Sequence, residues 1–155
     1  MTRERGELTS EEFKKFILAG RAIVTMENER SHGHFTYRVK HKKGADPHGP
    51  YFVSILNGPD NNHHYVYIGT LWIGRGGSLT GLYFNHSAKS QVGGEAQSVM
   101  SLHWAFSRLN ITGPEHPWPS HIKLYHEGRC GRCGKRLTVP ESIKAGYGPE
   151  CVQFV

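Results

Sequence analysis

The stretch Tyr125-His-Glu-Gly-Arg-Cys130-Gly-Arg-Cys133-Gly-Lys-Arg-Leu-Thr-Val-Pro140-Glu-Ser-Ile-Lys-Ala-Gly146-Tyr-Gly-Pro-Glu-Cys151 holds every cysteine of the chain. Three thiols leave one over after any disulfide, whereas three thiolates and one imidazole complete a tetrahedral zinc shell. The set this stretch offers is His126, Cys130, Cys133 and Cys151. Cys130-Gly-Arg-Cys133 with Gly134 directly after it reads as a zinc knuckle, a tight turn that points two sulfurs at one ion. Thr138-Val-Pro-Glu141 has capping-box spacing for a short helix that Gly146 would stop, and Gly148-Pro149 turns the chain so that Cys151 returns to the knuckle.

The fourth ligand stays open between His126, His121 and a water. A water would make the ion a candidate for catalysis, with Glu127 or Glu141 as base. No carboxylate-lined apolar pocket is legible, so the expected site is closed and structural. A redox role for the CxxC pair lacks the surrounding βαβ pattern.

Working outward, residues 1–120 read as an α+β domain and 121–155 as a small zinc-binding module. Thr9-Ser-Glu-Glu12 opens a predicted helix over 10–19 that places Phe13, Phe16 and Ile17 on one face. Strands are predicted at Arg21–Met26, His34–His41, Tyr51–Asn57, His64–Ile73 and Leu79–Asn85, an antiparallel meander of about five, with a bulge at Gly69. A second helix is expected over Glu95–Asn110. Trp118, among prolines, is expected to plug the space between domain and module, and Ile122–Tyr125 to form a strand leading into the knuckle.

The chain has 155 residues and a formal net charge of +6, so an anionic partner, nucleic acid first, is the expectation. Mean hydropathy is low at -0.53, and the metal is expected to stabilise where the apolar core is thin. The polar start and the lack of a membrane-length apolar run point to the cytoplasm, with no membrane contact. Nucleic-acid contacts are expected from Arg38, Lys40, Lys42 and Lys43 on the second strand and its loop. Arg129, Arg132, Lys135, Arg136 and Lys144 add to them around the knuckle, with Tyr65, Tyr67, Tyr83 or Tyr147 stacking a base.

His126-Glu-Gly-Arg-Cys-Gly-Arg-Cys-Gly-Lys-Arg-Leu-Thr-Val-Pro-Glu-Ser-Ile143 and Gly146-Tyr-Gly-Pro-Glu-Cys151 resemble a small zinc-ribbon-like domain of unknown function found in bacterial and bacteriophage proteins. Phe16-Ile-Leu-Ala-Gly20, Phe35-Thr-Tyr-Arg38 and Gly58-Pro-Asp-Asn61 resemble the amino-terminal region of phage proteins with this ending. The resemblance implies a phage or mobile-element origin and metal ligands at Cys130, Cys133, Cys151 and His126, with no settled activity. Trp72-Ile-Gly-Arg75 is loosely similar to the WGR type of nucleic-acid-binding domain, although Ile73 interrupts the tripeptide.

These signals favour a zinc-stabilised, basic nucleic-acid-binding accessory protein of phage type. One alternative is an anti-defence inhibitor that binds a host protein complex or, near His63, His64 and the His86 loop, a signalling nucleotide. The other is a metal-dependent nuclease drawing on His63, His64, His86, His103 and Asp60, though neither a paired HxT motif nor an HNH arrangement is legible.

Overall fold

The computed structural model describes residues 6–57, 64–74, 81–112, 118–138 and 140–155. The predicted turn at 58–62, His63, the Arg75 loop and Val139 of the capping-box string lie outside them. The fold is α+β: α1 (Ser10–Ile17), β1 (Arg21–Asn28), β2 (Gly33–Lys40), β3 (Tyr51–Leu56), β4 (Tyr65–Ile73), β5 (Leu82–His86), α2 (Gln97–Thr112), β6 (Ile122–His126) and α3 (Pro140–Ala145), with a final 3-10 turn at Cys151–Phe154.

α1 forms where its capping chemistry places it. The Thr9 hydroxyl accepts from the Glu12 N–H, and the Glu12 carboxylate accepts from the Thr9 N–H, at 3.2 and 2.9 Å. Phe13, Phe16 and Ile17 then fall on its buried face. Each such side chain removed from water contributes about 1.5–3 kcal/mol.

The six strands form one antiparallel sheet in the order β5-β4-β3-β2-β1-β6. The strand leading into the knuckle is therefore the edge strand of the same sheet, with Thr25 opposite Tyr125 and Met26 opposite Leu124. The β3–β4 register shifts between Val53 and Ser54, beside Gly69. A Cβ at Gly69 would lie 2.1 Å from the Asn85 carbonyl oxygen, so the close approach of β5 requires glycine there.

Alternation divides the sheet into two faces. Val24, Tyr37, Val39, Val53, Leu71, Leu82 and Leu124 point to the core under α1 and α2. There the Tyr37 hydroxyl donates to the Ser98 carbonyl at 2.5 Å, joining sheet to α2. Arg21, Arg38, Lys40, Phe52, Tyr67 and Tyr83 belong to the opposite face. Trp118 packs edge-on to Phe13, with centroids 5.9 Å apart, and against Trp104 at 5.7 Å. It bridges α1 and α2.

Candidate metal centre and basic cavity

The knuckle is a short hairpin. Arg129 bridges Arg136, the Cys130 N–H donates to the Lys135 carbonyl at 2.8 Å, and the Gly134 N–H donates to the Cys130 carbonyl at 2.8 Å. Gly134 sits at φ +80, the left-handed conformation that closes the turn. α3 then runs to Gly146, whose φ of +86 and N–H bond to the Ser142 carbonyl end it. Cys151 returns at the start of the terminal 3-10 turn.

The sulfurs of Cys130, Cys133 and Cys151 all lie within 4.8 Å of one another, close enough to bind one metal ion. Cys130 and Cys151 are buried and Cys133 is half-buried. Burial opposes ionisation of Cys130, but the backbone N–H groups of Gly148, Cys133 and Arg132, with the Cys133 thiol, outweigh it and hold the pKa below the ordinary thiol value. Cys133 is pushed the other way, by burial and by its two thiol neighbours, against the N–H of Lys135. Three converging sulfurs share negative charge poorly without a cation, and N–H donors aimed at sulfur stabilise thiolate. Both features suit a metal. Arg132 Nη1 donates to Cys151 Sγ at 3.5 Å while its guanidinium lies 4.5 Å from the centre of the Phe154 ring.

His126, the expected fourth ligand, is not among the grouped side chains. Its Nε2 bonds the Ile143 carbonyl, and its Nδ1 accepts from the Gly128 N–H at 3.0 Å. The imidazole is 2 % exposed and stacks on Phe16. Burial lowers its pKa, against the Ile143 carbonyl and Glu127, which favour the charged form. His121 also lies outside the group, its carbonyl accepting from the Glu29 N–H at 2.8 Å. The Glu127 carboxylate accepts from the Thr25 hydroxyl at 2.7 Å.

The knuckle segment packs onto α1 through Phe16. Cβ atoms at Gly131 and Gly146 would lie 2.6 and 3.0 Å from its ring, and Tyr147 tilts against it at 5.6 Å. The Arg21 N–H donates to the Gly131 carbonyl at 2.8 Å. Tyr147, expected as an exposed ring, is instead 7 % exposed, and burial raises its pKa to about 12. Gly146, in the left-handed conformation, lets the chain pass over Phe16 and the Tyr147 ring turn inward, so it has no face to offer a base.

Beside the metal group lies a cavity of about 890 Å³ lined by Arg21, Lys40, Lys42, Lys43, Arg132 and Cys133, with Phe52 at its wall. Four predicted nucleic-acid contacts, Lys40, Lys42, Lys43 and Arg132, meet here. Arg21 was not predicted; its signal was the register of β1 on β2, which sets it opposite Lys40. Arg38 instead lies over the Tyr65 ring at 4.4 Å, and Arg129 Nη1 donates to the Gly134 carbonyl at 3.3 Å. Lys135, Arg136 and Lys144 are exposed but do not line the cavity.

Residues 125–153, which contain all three cysteines, match a family of unknown function (DUF6011). No curated protein and no solved structure matches the chain. Among the described residues, no helix is long and apolar enough to cross a membrane.

Proposed function

We propose that the protein is a basic nucleic-acid-binding accessory protein whose carboxyl-terminal segment is fastened by zinc. The observation that carries this reading is the convergence of Arg21, Lys40, Lys42, Lys43 and Arg132, from three separate segments, on one cavity beside the cysteines. Among the described residues no carboxylate pairs with Arg21, Lys40, Lys42 or Lys43, and clustered cations of this kind suit phosphate. Zinc is favoured because soft thiolates in a small closed turn suit it and the ion brings no redox chemistry. Cys130, Cys133 and Cys151 would hold it, the N–H groups around Cys130 would keep that sulfur ionised, and Arg132 would offset the excess charge of the thiolates. No carboxylate joins the group among the described residues, which supports a structural rather than a hydrolytic role.

Anisotropy of labelled single strands, duplex DNA and RNA across a salt series tests this. Binding that weakens steeply with salt is expected, and absence of binding at low salt overturns the reading. A second reading, an inhibitor seated on a host protein complex, draws on exposed Met100 and Trp104 beside a groove of about 550 Å³. It predicts no affinity for free nucleic acid.

A further inference from the structure

Arg21, Lys40, Phe52, Thr70 and Asn85 are successive cross-strand partners through β1, β2, β3, β4 and β5. Directly opposed residues share a face, so these five form one row across the sheet on the side away from α1 and α2. The neighbouring row runs through Arg38, Ser54 and Tyr67. The row is cationic at the β1 end, where it enters the cavity, and reaches an aromatic ring at Phe52, with Tyr67 beside it in the neighbouring row.

Phe52 is 47 % exposed and Tyr67 40 %, and the two rings lie 6.3 Å apart at 48°. Adjacent strands are about 4.8 Å apart, which puts Lys40 one strand and Arg21 two strands from Phe52. A hydrophobic ring left in water beside lysines calls for a ligand that is flat and apolar at one end and anionic at the other. A nucleotide is such a ligand, but only when its base is free. Duplexes bury the base faces in the stack and present phosphates and groove edges, so they could use the cations and not the rings. Single strands expose base faces that stack on aromatic side chains of an open sheet.

Building on the nucleic-acid reading above, we infer that the preferred ligand is single-stranded nucleic acid. Bases stack on Phe52 and Tyr67, and the phosphates run toward Arg21, Lys40 and the metal-side cavity. Sequence preference is weak in this arrangement, because every base has a face to stack.

The test uses the full metal-loaded chain and anisotropy with four probes. These are a labelled oligothymidine of about twelve nucleotides, its abasic counterpart with the same phosphates, a duplex of the same length, and polyphosphate as competitor. The oligothymidine is expected to bind at least about tenfold more tightly than the abasic strand, and the Phe52→Ala/Tyr67→Ala double variant to lose most of that difference while its displacement by polyphosphate is kept. If that variant fails to fold, the abasic comparison on the unaltered chain decides. Equal binding of oligothymidine, abasic strand and duplex overturns this inference and leaves the basic cavity as a general phosphate surface. Failure of every nucleic acid to bind overturns the nucleic-acid reading itself.

Discussion

The imidazole of His126 lies on the ring of Phe16, with 5.7 Å between centroids and 26° between planes. A histidine so placed works as a core residue whose two nitrogens brace the backbone at Gly128 and Ile143. His126→Gln is expected to keep one metal per chain, counted by elemental analysis, while losing about 2–3 kcal/mol of stability. The pH dependence follows from the lowered pKa. Below the ordinary value of 6.5 the unfolded chain takes up a proton that the folded chain refuses. The contribution is therefore complete above 6.5 and declines on acidification toward the folded pKa. Urea melts at about pH 7.5 and about pH 5.5 should differ less for His126→Gln than for the native chain, since both share the thiol protonation.

Removing the metal should loosen one part of the molecule first. Cys130→Ser, or chelation, takes away the tie between the knuckle and the terminal turn, whereas β2, β3 and β4 keep their ladders. Amide exchange is expected to rise across 128–154 and to stay low in the central strands. Uniform exchange throughout would mean that the metal holds the whole fold, as it does in small zinc domains.

Arg132 joins the two parts of the candidate site, because one guanidinium touches Cys151 and faces the cavity. Arg132→Ala should weaken metal binding about tenfold, as the loss of a partner beside a ligand does, and should also weaken anion binding. Competition with a chromogenic chelator reads the first and anisotropy the second. An effect on anion binding alone would detach Arg132 from the metal.

Much of this was legible from local signals. The Thr9–Glu12 capping box, the alternation in β2 and the spacing of three cysteines each depend on residues near one another in sequence. What escaped was set by distant partners. A histidine ahead of a knuckle looks the same whether its nitrogens meet a metal ion or the backbone. The available clue was that His126 alternates in phase with Ile122 and Leu124 and so shares their buried face. Tyr147 between two glycines suggested an exposed tip, because nothing local shows Phe16 waiting underneath. Arg21 became visible only through strand register.

Gly131 is where the knuckle rests on α1. A methyl group there would sit 2.6 Å from Phe16 Cε1, and Phe16 is fully buried, so the ring has nowhere to retreat. Gly131→Ala is expected to cost about 1–3 kcal/mol by overpacking, with thermal melting as the readout. Pairing it with Phe16→Leu should recover part of the loss. Simple additivity of the two changes would show that the contact is not the cause.

Charge in the cavity and charge on the knuckle surface make different predictions for salt dependence. Lys40, Lys42 and Lys43 converge with Arg21 and Arg132, whereas Lys135, Arg136 and Lys144 stand outside. A lysine that holds phosphate releases about one counterion, so each one removed should lower the slope of log affinity against log salt by about 1. Lys40→Gln/Lys42→Gln/Lys43→Gln is therefore expected to flatten the slope by about 3 on a duplex and about 2 on a single strand. Lys135→Gln/Arg136→Gln/Lys144→Gln removes the same formal charge but should leave the slope almost unchanged. Both triples alter the long-range field similarly, so any difference between them reports contact rather than net charge. If they flatten the slope equally, the +6 chain attracts anions only diffusely, and the cavity is not where they bind.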